Sequence, residues 1–461
     1  MSKKLGFWSI VLLTINSIIG SGIFISPGSV VKMAGTYTPI VYVAAAIFAS
    51  LLALSFASAA KYVSKGGAAY AYARTAFGRN VGFYVGITRF IAASIAWGVM
   101  ATSVVKTVLA IMKLDSSNFG LLTLGFIILM ALLLVINLLG PKIFAIINNL
   151  STIGKLLALL TIIIFGVYIL ISTGANHFLD VNNFQNANGQ PLISSLNTST
   201  FVMATITAFY ALNGFESIAS GSNDMQQPEK NLPKALPLGM LIIALIYIGI
   251  VSISMMINPH ALVFSNQVVA LVDIFDNGIV KNIVLYGALI SMFGINVASS
   301  FHTPRVLEAI AKEKQIPAIF AKRNQQNIPF ISFLVTIVIA IVIPMAFQYN
   351  MTNIIIISTI SRFVQFIVVP LSVMMFFYGK NTEKTLSTAK RNLATDVIVP
   401  VISLVLTAFL LFKFDWVGQF SIVDATGSHL NLYAISAMII GYVILPIVLY
   451  LFNRKSKTSL D

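Results

Sequence analysis

The sequence predicts an all-α polytopic membrane protein, and three observations carry that prediction. Of its 461 residues, 58% are apolar and only 9% are charged, where an ordinary soluble domain carries about 25% charged residues. Runs of about 20 apolar residues, the length that crosses about 30 Å of hydrocarbon, recur down almost the whole chain. Little chain is then left for an extramembrane domain, and a soluble globular enzyme is excluded.

Twelve spans are expected, over residues 7–33, 38–60, 81–112, 119–139, 143–172, 199–220, 235–258, 279–304, 328–348, 353–378, 396–414 and 431–453. The first run is too long for a signal peptide, is interrupted by glycines and lacks a small-residue cleavage site, so it stays as a span. Cysteine is absent, so no disulfide or thiolate metal site exists. The four histidines, His177, His260, His302 and His429, each fall beside a loop, which leaves a metal centre or catalytic triad little to build from. No cofactor or metal is expected.

The net charge of +15 reports topology. Of the 29 Lys and Arg, 21 fall on the side of the N-terminus, including Lys3, Lys4, Lys61, Lys142, Lys230 and Arg305. By the positive-inside rule both termini are cytoplasmic, in agreement with an even number of spans, and the protein belongs in the cell membrane. The basic loops meet anionic lipid, and nucleic acid is not an expected partner. Oligomeric state is not legible.

Two runs are broken at their centres. The first reads Ile18-Ile19-Gly20-Ser21-Gly22-Ile23-Phe24, the sixth Tyr210-Ala211-Leu212-Asn213-Gly214-Phe215-Glu216. Gly costs about 1 kcal/mol relative to Ala inside a helix, and Ser and Asn compete for backbone hydrogen bonds. Unwinding at membrane depth is tolerated only where the backbone is buried in protein or lines a cavity. Free N–H groups at the start of a half-helix attract a carboxylate, and free carbonyls at the end of another attract an ammonium. The broken spans are five apart and run in opposite directions, as an inverted five-helix repeat requires. The chain accordingly divides into a first repeat over 1–172, a second over 173–378, and peripheral helices with a tail over 379–461.

The motifs IIGSGIF (18–24), SKGGAAYAYARTAFG (64–78), GFE (214–216) and ALISMFGINVASSFHTPRVLEAIAKEKQIPAIFAK (288–322) occur in that order. Together they resemble the signatures of amino acid permeases of the amino acid-polyamine-organocation superfamily, over roughly residues 5–330. Lys65 departs from the usual proline before the Gly-Gly, and DMQQPEKNLPKAL (224–236) is only similar to the usual loop. The resemblance implies ten core helices in two inverted repeats, two peripheral helices, and an amino acid held between the broken first and sixth helices. It puts the substrate carboxylate on the N–H groups of Ser21, Gly22 and Ile23, with the Ser21 hydroxyl, and the ammonium on the carbonyls of Ile18, Tyr210 and Asn213. Tyr210 also matches an aromatic position that covers the site from outside.

Lys155 lies twelve residues into the fifth run, about 18 Å deep at 1.5 Å per residue, beyond easy snorkelling. An ammonium there should face a polar interior and have a partner. The surrounding NNLSTIGKLL resembles the family's fifth helix, in which a lysine fills the place of sodium in coupled relatives. That implies a bridge from the unwound first helix near Gly20 to the eighth, with Ser291 as partner. Glu216, the only acidic residue well inside a span, follows the sixth break, where a carboxylate suits a half-helix N-terminus and either holds the break or gates. Arg362 and Arg89 are expected to snorkel to the surfaces.

The leading reading is a secondary transporter of neutral amino acids working by alternating access, independent of sodium, by proton symport or exchange. A cationic amino acid or polyamine carrier is the alternative, with Glu216 as its only acidic group. A channel would want a continuous polar stripe, a receptor belongs to a different class again, and an intramembrane enzyme would need clustered catalytic side chains.

Overall fold

The computed structural model describes residues 6–63, 68–139, 141–174, 176–185, 189–193, 196–220, 225–265, 269–326, 328–424 and 427–458. Lys65 and the start of the loop at 224 lie outside them. The helices in order are α1 (Phe7–Ile18), α2 (Gly22–Ala34), α3 (Thr38–Tyr62), α4 (Ala69–Phe77), α5 (Arg79–Ile111), α6 (Phe119–Leu138), α7 (Pro141–Thr173), α8 (Thr198–Ala211), α9 (Phe215–Ser220) and α10 (Pro228–Ile257). There follow α11 (Pro259–Phe264), α12 (Gly278–Lys312), α13 (Phe330–Ala346), α14 (Met351–Ile360), α15 (Phe363–Tyr378), α16 (Val399–Lys413), α17 (Trp416–Gln419), α18 (Leu432–Ile439) and α19 (Leu445–Thr458). A short antiparallel hairpin, β1 (Ser421–Asp424) with β2 (Gly427–Leu430), precedes α18.

Among the described residues nine helical segments are long and apolar enough to cross a membrane, which makes the chain a multi-pass membrane protein. The expected runs appear differently where breaks shorten them. The first splits into α1 and α2, and α2 continues through a short turn into α3, so that Gly22–Tyr62 reads as one segment. The sixth splits into α8 and α9, and α13 spans 17 residues. The tenth run divides as well, between α14 and α15, an interruption not expected from its composition. The eighth span's helix runs to Lys312, eight residues beyond its apolar stretch, so His302 stands inside a helix and not beside a loop.

Among the described residues asparagine starts six of these elements. Asn118, Asn197, Asn258, Asn277, Asn350 and Asn431 accept hydrogen bonds from the first-turn N–H groups of α6, α8, α11, α12, α14 and α18. Such a cap satisfies a donor that no preceding carbonyl can reach.

Large apolar side chains face outward, including Ile164 and Ile171 on α7, Phe412 on α16 and Leu451 on α19, as expected where the solvent is hydrocarbon. Inside, helices meet through small residues, which let backbones approach closely. A Cβ placed on Gly294 of α12 would lie 2.0 Å from the Ser151 Cβ of α7, and one on Gly287 would lie 2.8 Å from the Gly154 carbonyl oxygen. That contact sets Lys155, the next residue, beside α1. Phe48 and Phe56 of α3 pack against Phe209, Phe215, Phe363 and Phe366, so one aromatic cluster holds both the α8–α9 and the α14–α15 interruptions.

Candidate functional site

The first break follows from backbone geometry at Ile19. Its ψ of 90° leaves the helix while its N–H still bonds to the Ile15 carbonyl, ending α1. The chain re-enters helix at Gly22, with the Ser21 carbonyl accepting from the N–H groups of Phe24 at 3.0 Å and Ile25 at 3.2 Å. The N–H groups of Gly20, Ser21, Gly22 and Ile23 donate to no backbone carbonyl among the described residues.

The second break is a tight turn. Leu212 N–H donates to the Phe209 carbonyl and Asn213 N–H to the Tyr210 carbonyl at 3.3 Å. Gly214 has φ +123°, a region that side chains disfavour and glycine enters freely. Its N–H donates to Glu216 Oε2 at 2.9 Å, and its carbonyl accepts from Ser17 Oγ at 3.2 Å.

The two breaks lean on each other. A Cβ on Gly22 would lie 2.4 Å from the Ala211 Cα, and one on Gly214 would lie 2.5 Å from the Ser17 carbonyl oxygen. Each break thus uses a glycine to let the other's helix end approach. Gly20 does the same toward α12, where a Cβ would lie 2.5 Å from Ile295 Cδ1. The Tyr210 phenol lies near the Ser21 hydroxyl on the α8 side. Ile18, Ser21, Ile23, Tyr210 and Asn213 are all buried here.

Lys155, also buried, donates from Nζ to the Ile19 carbonyl at 2.7 Å and to the Asn16 carbonyl at 3.1 Å. It therefore caps the C-terminal end of α1, as an ammonium should. The expected link to Ser291 is not made. The Ser291 hydroxyl has no hydrogen-bond partner among the described residues, and its carbonyl accepts instead from Ser151 Oγ, one turn before the lysine. The close Gly294–Ser151 packing gives serine that position and turns the lysine toward α1.

Arg362 does not snorkel. It sits at the α14–α15 interruption, turned inward, and its Nη1 forms an ion pair with Glu216 Oε1. Glu216 is buried and bonds both this guanidinium and the Gly214 N–H, so it ties the sixth break to the tenth. Arg89 of α5 belongs to the same interior, within electrostatic reach of Glu216, Tyr72 and Arg362, and so it too departs from the expected snorkelling. For Arg362 the buried Glu216 carboxylate supplies the counter-charge that an intramembrane cation requires. From the far side, Tyr442 donates its hydroxyl to the Ser361 carbonyl at 2.9 Å. Composition alone left this third interruption unseen, although the Ser361-Arg362 pair inside an apolar run is a signal of the same kind as Gly20-Ser21-Gly22.

Both side-chain atoms of Asn213, Ser291 Oγ, Arg362 Nε, Ser358 Oγ and Gln365 Oε1 are buried without a hydrogen-bond partner among the described residues. Such atoms each cost about 1–3 kcal/mol, and several on the segments that form or flank the breaks call for a polar guest. An open recess of about 270 Å³ lies between the starts of α8 and α14, Met33 of α2 and Gln419 of α17. The opposite, basic end is laced by ion pairs. Lys61 and Tyr62 hold Asp396 at 2.5 and 2.7 Å, and Arg74 of α4 holds Glu313 at 2.8 Å and Glu383 at 2.9 Å. The Glu313 carboxylate foremost keeps the Arg74 pKa above its ordinary value.

Discontinuous membrane helices with facing broken ends, a cation on one and an ion pair on the other, are the architecture of a solute transporter. The amino acid permease family profile matches residues 5–445. The chain is 36% identical to a Mycobacterium tuberculosis (strain H37Rv) protein named only as an uncharacterised transporter, over 97% of this chain and 94% of that one. It is 29% identical to the serine/threonine exchanger SteT of Bacillus subtilis, over 69% of this chain and 70% of that one. With the branched-chain amino acid permease BcaP of the same organism it shares 25% identity, over 71% of each. This chain belongs to the amino acid permease family, and its work is amino acid transport across a membrane. Its relatives are transporters, not enzymes.

Proposed function

We propose that the chain is a secondary active transporter of neutral amino acids in the cell membrane, independent of sodium, with twelve spans and both termini cytoplasmic. Two inverted five-helix repeats, over 1–172 and 173–378, enclose the substrate between their broken helices, and 379–461 supplies peripheral helices. One observation carries this reading. Among the described residues the N–H groups of Gly20 to Ile23 donate to no backbone carbonyl, Gly22 packs against the α8 end at Ala211, and the Asn213 side chain, two residues further on, has no hydrogen-bond partner. A zwitterion needs donors for its carboxylate and acceptors for its ammonium a few ångströms apart, and two half-helix ends supply both. The Ile18 and Asn213 carbonyls remain open to the ammonium among the described residues, whereas the Tyr210 carbonyl already accepts the Asn213 N–H on one lone pair. Lys155 supplies the fixed positive charge that would otherwise come with a cation.

The alternative, a carrier of cationic amino acids or polyamines, relied on Glu216, and Arg362 neutralises that carboxylate. The names of SteT and BcaP favour neutral substrates as well. Protons or a counter-transported amino acid provide the driving force. The test is thermal unfolding of the purified protein with free amino acids and their methyl esters. A ligand bound only to the folded state raises its melting temperature, by about 2.7 kcal/mol of stabilisation at a hundredfold excess over Kd. Neutral amino acids should stabilise and their esters should not, because the ester lacks the anion for the α2 N-terminus. Equal stabilisation by the ester would exclude this site.

A further inference from the structure

Glu216 is the one carboxylate that the breaks offer to a substrate. It is anchored three residues past Asn213 by the Gly214 N–H, at the start of α9 and next to the turn that the transported molecule is proposed to touch. Its other oxygen is taken by Arg362, a guanidinium carried on a separate interruption and turned away from solvent. Arg362 Nε is buried with no partner among the described residues, and the adjacent Ser361 carbonyl is held from behind by the Tyr442 hydroxyl. Arg89 adds a second positive charge within reach of the same carboxylate. A buried carboxylate beside a broken helix end would ordinarily recruit a cationic partner. Here a tethered cation of the protein already fills that role.

We propose that Arg362 is the specificity-determining residue that excludes cationic amino acids, by occupying on Glu216 the place of a substrate ammonium or guanidinium. The inference rests on the two breaks being the amino acid site. Rejection by a pre-placed like charge is an economical form of discrimination, since it leaves the contacts to a neutral substrate intact. Removing the guanidinium while keeping the carboxylate converts the site from one that repels a lysine side chain to one that attracts it. The same change in a chain lacking the carboxylate gains nothing.

The experiment compares binding of lysine, arginine and norleucine, which matches lysine in length without the terminal amine, to the wild type, Arg362→Gln and the double variant Glu216→Gln/Arg362→Gln. The wild type should bind norleucine at least tenfold better than lysine. Arg362→Gln should reverse or erase that preference, and the double variant should lose the gain. Norleucine and lysine bound equally by the wild type would overturn the proposal without any variant, so it stays testable if Arg362→Gln fails to fold. A folded Arg362→Gln that binds norleucine and still rejects lysine would overturn it too. If no neutral amino acid, norleucine included, binds the wild type, the amino acid reading of the breaks falls and the filter falls with it.

Discussion

Replacing Lys155 by Met removes the ammonium that caps α1 and keeps a buried apolar stem of similar length on α7. Two bonds are lost, to the Ile19 carbonyl at 2.7 Å and the Asn16 carbonyl at 3.1 Å. A hydrogen bond to a charged group contributes about 1.5–3 kcal/mol, so the pair represents about 3–6 kcal/mol of gross interaction. Burying an ammonium costs several kcal/mol of desolvation, and the variant is spared that cost. Global stability should therefore change by less than the gross figure, on the order of 1–2 kcal/mol. Transport should respond far more. Alternating access requires α1 to move against α7, so a bridge present in one state biases the equilibrium by its differential energy. A bias of about 2–3 kcal/mol shifts populations roughly 30- to 150-fold. Lys155→Met should lower the rate of amino acid uptake into proteoliposomes at least tenfold, while equilibrium binding of the same amino acid weakens less. Wild-type turnover in a folded Lys155→Met protein would refute the coupling argument and leave the lysine a helix cap. An inward pH gradient gives the second readout: if the coupling proton passes through this lysine, the gradient drives accumulation in the wild type and not in the variant.

Gly214→Ala should abolish substrate binding and destabilise the fold, because its φ of +123° strains a side chain and its Cβ would meet the Ser17 carbonyl at 2.5 Å; the expected cost is about 1–3 kcal/mol, read by thermal unfolding. Gly22→Val would force the Ala211 backbone aside at 2.4 Å, so it should lose stability as well as binding, and a stable Gly22→Val that binds normally would place the site elsewhere. Uptake should be unchanged when sodium is replaced by choline, and a strict sodium requirement would contradict the role given to Lys155. Arg74→Ala breaks the Glu313 and Glu383 pairs at the basic end and should shift the population toward opening there. The chain has no native cysteine, so a single cysteine at Gln419 in the opposite recess should label more slowly in Arg74→Ala than in the wild type. Unchanged labelling would show that the ion pairs do not latch that end.

Much of the fold is local and so was legible in the linear sequence. Apolar run length and the sparse charge predict membrane helices without knowledge of any contact. The breaks at Gly20-Ser21-Gly22 and Asn213-Gly214 follow from intrinsic backbone preferences, and the burial of Lys155 and Glu216 follows from their depth alone. Partners are not local. Whether Lys155 turns toward Asn16 and Ile19 or toward Ser291 depends on how Gly294 and Ser151 pack. Whether Arg362 reaches water or Glu216 depends on where the aromatic cluster of Phe48, Phe56, Phe209 and Phe366 sets α15 against α9. A long cation can satisfy its charge in several directions at similar cost, and the one it takes is decided by which counter-charge the assembled helices bring within a few ångströms. Sequence therefore determined which residues must find a partner in the bilayer interior, and only the tertiary structure decided which partner each one found.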